Sequence, residues 1–187
     1  MLMRVVVGSE NAAKIVAIKN AFAEYLKIHK NLGYRKKSSA LIFGKDGDFL
    51  IVQLVGYGAN DWNFPGGGVE NGETEEEAIL RELKEELGTD KFKIIKKAGQ
   101  TEKYEWPLST IIKRLREEGR TWRGQEARFF LVKLTGEKGD INYNPGEIRK
   151  TKWVKKEELK DYFCFPGQLA TAKRVIKEFT IKAKNNF

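Results

Sequence analysis

Residues 63–88 restrict this chain more than any other stretch of it. Asn63-Phe64-Pro65-Gly66-Gly67-Gly68 is expected to be irregular, because three glycines and a proline oppose both helix and strand. Thr74-Glu75-Glu76-Glu77 then has the form of a capping box, with Thr74 as N-cap and Glu77 reaching back to its amide. Gly88 is placed to end the same helix. At about 100° per residue, Glu82, Glu85 and Glu86 share one face, and Ile79, Leu83 and Leu87 form the neighbouring apolar stripe. The spacing predicts a glycine loop leading into a half-buried helix with a carboxylate edge at the border of the core.

That edge is unusual for its setting. The 187 residues include 35 Lys and Arg against 26 Asp and Glu, a net charge of +9. Residues 69–90 hold nine acidic and two basic side chains, whereas residues 1–40 carry a net +6 and residues 91–187 a net +12. Carboxylates concentrated in this way repel one another unless a cation holds them. A solvated glutamate-rich helix would be the ordinary reading, since each like-charge pair on an exposed helix costs only about 0.2–0.5 kcal/mol. If the face is partly buried the penalty grows, and a hard divalent cation reverses its sign. Oxygen ligands without nearby His or Cys suit Mg²⁺ or Mn²⁺ rather than zinc. The single Cys (Cys164) and single His (His29) exclude an intramolecular disulfide and a Cys/His zinc cluster, and any Ser-His-Asp triad would have to recruit His29. No apolar stretch approaches the ~20 residues of a membrane span, and no signal-peptide pattern opens the chain, so a cytoplasmic protein that keeps away from membranes is expected.

The rest reads as short alternating elements. Residues 3–8 suggest a buried strand, and residues 11–29 place Ile15, Ile18, Phe22 and Tyr25 at helical intervals. Asn31-Leu32-Gly33 marks a boundary, giving residues 1–32 as a βα extension and residues 33–187 as the main domain. Residues 39–43 and 49–54 read as strands joined by a hairpin at Asp46-Gly47. Residues 92–95, 128–134 and 151–154 read as further strands, and residues 109–118 and 168–184 as helices. The order predicts a mixed α/β arrangement.

Gly67, then Glu73 after five residues, then Arg81-Glu82-Leu83-Lys84-Glu85-Glu86-Leu87-Gly88 after seven more, form a signature that resembles that of the Nudix hydrolases. Only its last position, usually aliphatic, differs, being Thr89. The resemblance implies an α/β/α sandwich with a mixed sheet and hydrolysis of a nucleoside diphosphate linked to another group. It implies that Glu82, Glu85 and Glu86 bind divalent metal, helped by the carbonyl of Gly67, and that Glu73 and Arg81 hold the loop and helix together, with Gly88 closing the motif. The chemistry is consistent: an anionic pyrophosphate chain would be repelled by carboxylates alone, so metal must bridge them.

Further segments resemble one subgroup, the RNA pyrophosphohydrolases and the asymmetric dinucleoside polyphosphate hydrolases. These are Gly33-Tyr34-Arg35, Trp62-Asn63-Phe64-Pro65, Tyr104-Glu105-Trp106-Pro107, Gly124-Gln125 and Phe129-Phe130-Leu131. In that subgroup a glutamate upstream of a tryptophan serves as metal ligand or base, the position held here by Glu147 ahead of Trp153. By the same resemblance Arg35, Tyr104 and Gln125 contact substrate. The chain departs where RNA pyrophosphohydrolases show paired arginines, having Gln53-Leu54-Val55, and again at Phe163-Cys164-Phe165-Pro166-Gly167-Gln168. Both departures bear on recognition of an RNA 5′ end.

The expected substrate is a nucleoside polyphosphate, either a dinucleoside polyphosphate or the 5′-triphosphate end of RNA. The alternatives are a housecleaning nucleoside triphosphate pyrophosphatase and a non-catalytic nucleotide- or RNA-binding module. Residues 103–128 carry seven basic and four acidic side chains, a composition that can contact RNA, with Trp106 or Trp122 as a stacking surface. Residues 1–28, with Ser9, Asn11 and Lys14 before a helix, resemble the first βα unit of the inosine/xanthosine triphosphatases and are expected to act as a docked or dimerising extension.

Overall fold

The computed structural model describes residues 12–119 and 121–183. The expected strand at residues 3–8, and Ser9 and Asn11, lie outside the described residues. Helix α1 covers Ala12–Asn31. Strands follow at β1 (Tyr34–Phe43), β2 (Phe49–Leu54) and β3 (Trp62–Asn63), then helix α2 (Glu75–Leu87). The chain continues through β4 (Phe92–Lys97), β5 (Glu102–Glu105), α3 (Leu108–Glu118), β6 (Gly124–Leu134), β7 (Ile148–Val154) and α4 (Gln168–Ala183). Among the described residues no helix is long and apolar enough to cross a membrane.

The strands form a sheet in the order β3-β2-β1-β6-β4, with β7 paired to β2 and β5 to β6. Alternation along the strands builds a core on each face. Ala40, Ile42, Leu50 and Val52 meet Ile79, Leu83 and Leu87 of α2 on one side. Leu41 and Ile51, the residues between them, meet Ala172, Val175 and Phe179 of α4 on the other. Burial of each such aliphatic side chain contributes about 1.5–3 kcal/mol, so the apolar stripe of α2 fixes which way its carboxylates face. The result is the expected α/β/α sandwich.

The molecule divides into two compact units: Met1–Tyr34 with Glu105–Gly124, and Arg35–Tyr104 with Gln125–Phe187. In the first, Glu105 accepts hydrogen bonds from the Tyr34 hydroxyl at 2.6 Å and from Arg123 Nε at 2.6 and 2.8 Å. His29 Nε2, in the last turn of α1, lies 3.4 Å from the same carboxylate. Trp106 and Trp122 meet edge to face, and the Arg114 guanidinium lies 4.6 Å above the Trp106 ring. The second unit contains the sandwich.

Two boundaries differ from expectation for one physical reason. β1 starts at Tyr34 rather than residue 39, and Asn63 joins Trp62 in a short strand opposite Val52 and Gln53. The glycine loop runs beside β1 and completes its hydrogen bonding: Ala40 N donates to Pro65 O, Ser38 N to Gly67 O, and Val69 N to Lys36 O. A run of basic residues is therefore strand because main chain, not side chains, holds it. β6 and β7 also begin earlier than expected, at Gly124 and Ile148.

The close approach requires glycine. Gly66 has φ 128°, and a Cβ there would lie 2.3 Å from the Ser38 carbonyl oxygen. Gly66→Ala is expected to cost about 2–3 kcal/mol in urea denaturation, because neither main-chain segment can move without the other. An unchanged denaturation midpoint would contradict this apposition.

Candidate active site

The predicted caps set the register of α2. Thr74 Oγ1 accepts from Glu77 N at 3.2 Å, Thr74 N donates to Glu77 Oε2 at 2.8 Å, and Gly88 closes the helix at φ 67°. Glu86 then projects beneath the glycine loop, only 5 % exposed, and accepts from Gly66 N at 2.9 Å. Glu82 lies so close to Gly67 that a Cβ there would fall 2.1 Å from its carboxyl carbon. The Gly67 carbonyl accepts from Ser38 N at 2.9 Å, which leaves its second lone pair. Glu85 is mainly solvent-exposed.

Arg81 ties these groups together. Its Nε and Nη2 bind the two oxygens of Glu73 at 2.8 and 3.0 Å, and Nη2 also donates to Gly68 O at 3.0 Å. Its Nη1 reaches Glu82 at 3.1 Å and Glu85 at 2.9 Å. The Glu73 carboxyl is held below the usual carboxylate range by that hydrogen-bonded guanidinium.

Glu147 reaches the same region through a loop. Asn142 N and Asn144 N donate to the carbonyls of Leu87 and Glu86 at 3.0 and 2.8 Å, satisfying the end of α2. Asn144 Nδ2 then donates to Glu147 Oε1 at 3.1 Å, and Val55 N donates to Glu147 O at 2.8 Å. This contact of Asn144 with Glu147 was missed by sequence reasoning, because it depends on where the loop meets α2.

Electrostatics bind the set. Burial pushes the Glu86 carboxyl up to about 7; Lys37 and the Gly66 amide oppose the rise, while Glu82 and Glu147 add to it. Glu82 is raised, again mainly by burial. Burial lowers Lys37, and Glu86 and Glu82 oppose that shift, so Lys37 feels the charge of both carboxylates. It too was missed, hidden in a basic run; its pairing with Gly68 across the loop is what brings it there.

A carboxyl whose pKa is higher in the fold than in the unfolded chain stabilises the fold while protonated. Its contribution is present below about 4.5 and is lost as pH rises through about 7. The metal-free protein should therefore lose melting temperature from about pH 5 to about pH 8 relative to Glu86→Gln, which has no charge to bury. Parallel pH profiles for the two proteins would remove Glu86 as the cause.

Among the described residues, no three His, Cys, Asp or Glu side chains stand close enough to cage an ion. Glu82 and Glu85 are both turned onto Arg81 Nη1. The donors are nonetheless all oxygen, and buried Glu86 experiences the negative charge of Glu82 and Glu147, an environment that a hard divalent cation fits.

Of the three residues expected to touch substrate, one lies against this loop and the other two are bonded to each other. Arg35 lies across Gly68, where a Cβ would fall 2.4 Å from its Nη2. The Tyr104 hydroxyl donates to Gln125 Oε1. Tyr104 is pushed up to about 12 by burial first and then by Tyr57, with Arg35 opposing. Tyr57 meets Phe165 edge to face at 6.3 Å, and both rings are substantially exposed. This aromatic pair was not read from sequence, although Tyr57 stands alone among glycines in Gly56-Tyr57-Gly58.

The NUDIX domain profile matches residues 33–178. The RNA pyrophosphohydrolase of Erythrobacter litoralis is 31% identical over 161 residues, covering 81% of this chain and 93% of the relative. That of a Nitratiruptor species is 38% identical over 137 residues, covering 71% and 84%. Among solved structures, the E. coli dihydroneopterin triphosphate pyrophosphohydrolase shares the fold at TM-score 0.61 and 22% identity, covering 78% of this chain and 99% of that one. A C. elegans Ap4A hydrolase in a binary complex does so at TM-score 0.55 and 20% identity, covering 78% and 98%. With the loop, helix and carboxylate edge in the family's order and the profile spanning most of its length, the chain belongs to the NUDIX family and is a Nudix pyrophosphohydrolase.

Proposed function

We propose that the chain hydrolyses the 5′-triphosphate end of RNA, using Mg²⁺ or Mn²⁺ held by Glu82, Glu85, Glu86, Glu147 and the Gly67 carbonyl. Nudix hydrolases generally use divalent metal ions. The observation that carries this reading is the buried Glu86, bonded to the glycine loop and sharing its electrostatic environment with Glu82 and Glu147. A bound divalent ion would neutralise phosphate oxygens and lower the pKa of an attacking water. The protein supplies the rest. The Arg35 guanidinium, across Gly68, faces the anionic chain. Tyr104 and Gln125 present a hydroxyl and an amide beside it. Glu147, whose carboxylate is oriented by Asn144, is the candidate to accept a proton from water. The RNA assignment draws on the substrate in the names of the relatives that match most of the chain.

The exposed Tyr57–Phe165 pair favours a second reading, a dinucleoside polyphosphate with one base on those rings. Identifying the products from 5′-triphosphorylated RNA, diadenosine tetraphosphate and mononucleoside triphosphates with Mg²⁺ separates the readings. Conversion of the RNA to its 5′-monophosphate is the expected result. Turnover of mononucleoside triphosphates alone would replace this reading with a housecleaning activity, and binding without turnover with a non-catalytic module.

A further inference from the structure

We propose that the groove between the turn Lys156–Asp161 and helix α4 binds the phosphodiester backbone of single-stranded RNA. The physiological partner rests on the RNA reading above.

The groove has a volume of about 620 Å³ and is lined by Lys156, Lys160, Lys173 and Lys177, with Glu157 as its one acidic lining residue. Lys173 and Lys177 stand one helical turn apart on α4, about 5–6 Å between their Cβ atoms, and Lys156 and Lys160 face them from the turn. Ile176, buried between the α4 lysines, forms the floor.

The charge around this groove is largely uncompensated. Arg81, Lys91, Lys97, Arg128, Lys138 and Arg174 each lie within ion-pairing distance of a carboxylate. Lys160, Lys173 and Lys177 pair with no described carboxylate, and Lys156 has only Glu157 at 3.9 Å. Four ammonium groups around one concavity, with a single carboxylate, fit a ligand carrying regularly spaced negative charge.

A ring contact links the turn beside the groove to the strand that leads into the glycine loop. Tyr162 follows the turn directly; Lys152 Nζ lies 4.6 Å from its ring centroid and donates to its hydroxyl. Tyr162 meets Trp62 edge to face at 5.7 Å, and Trp62 begins the segment that becomes the Gly66–Gly68 loop. A basic groove that tracks a backbone is the pattern that binds a single strand without reading its sequence. A membrane is a poor fit, since among the described residues none of the large exposed apolar side chains lines this groove. A protein partner is a poor fit as well, because interface cores are depleted in lysine.

The test is fluorescence anisotropy with a 5′-hydroxyl single-stranded RNA, which lacks the bond to be cleaved and so reports the groove apart from catalysis. The variant K156Q/K160Q/K173Q/K177Q is expected to bind at least tenfold more weakly, with a salt slope about 2–3 smaller, given about 0.7 counterion per neutralised phosphate on single strands. Its turnover of diadenosine tetraphosphate, or of a mononucleoside triphosphate if that is what wild type cleaves, should be unchanged. K173E/K177E, which touches only helix α4, should weaken RNA binding further while melting as wild type does. Loss of affinity supports the groove even if 5′-triphosphorylated RNA proves not to be cleaved, in which case only the reading of the catalytic site falls. Unchanged affinity and slope overturn the groove even if that RNA is cleaved. Equal, lysine-dependent binding of polyglutamate or anionic vesicles also overturns it.

Discussion

Glu86→Gln should lower kcat by about a thousandfold, or ~4 kcal/mol of barrier, with KM changing less than about tenfold. Gln keeps the shape and an oxygen for Gly66 N, so the loop should stay in place. What is lost is the charge, at the most buried of the four proposed carboxylate ligands. Glu77→Gln is the control. It removes a carboxylate from the same helix, but Glu77 serves the capping box, so the variant should lose at most about 1 kcal/mol of stability and keep activity within about twofold. If Glu86→Gln keeps more than about a tenth of wild-type kcat, a loss of under ~1.4 kcal/mol, Glu86 is not a metal ligand. Equal losses in the two variants would mean that the helix, and not the site, had been damaged.

The helix and its carboxylate edge were legible because local rules determine both. Caps, apolar stripe and acidic face all follow from positions within or directly flanking one 13-residue helix. The strands of the core were legible where side chains alternate, as through Leu50, Ile51 and Val52, whose neighbours enter opposite cores. What escaped depended on main chain from elsewhere. Lys36 to Ser38 show no strand pattern, since their partners are the carbonyls and amides of the glycine loop. Lys37 was unreadable as a site neighbour for the same reason. Within the unit that groups Glu105–Gly124 with residues up to Tyr34, Glu105 gathers Arg123 together with Tyr34 and His29, which lie far before it in the chain.

Glu147 shows both sides of this limit. Its place before a tryptophan could be matched by resemblance, but nothing local says that it approaches Glu86. That follows from two unsatisfied carbonyls at the end of α2, which recruit Asn142 and Asn144 and with them the loop that carries Glu147. Lone acidic residues in loops become legible as site residues only when the segment's own hydrogen bonds can be traced.

Arg81 should have the largest effect on stability of any single residue in the site. Arg81→Met removes the partner of Glu73, whose side chain is only 14 % exposed, and frees Glu82 and Glu85 from the same guanidinium. Breaking a partly buried pair from one side costs about 3 kcal/mol, most of it from the carboxylate left behind. Activity should fall about a hundredfold in kcat/KM, because Arg81 also holds Gly68 O and so fixes the loop against the helix. Arg81→Lys separates charge from geometry. An ammonium keeps the +1 but cannot span both oxygens of Glu73 while reaching Gly68 and Glu82, so it should restore less than half of the lost stability. The double variant Arg81→Met/Glu73→Gln should be more stable than Arg81→Met alone, since no unpaired charge then remains at Glu73. Chemical denaturation of the four proteins measures these differences directly. If Arg81→Lys matches wild type in both melting and turnover, a point charge is sufficient, and the planar fork is not what joins loop to helix.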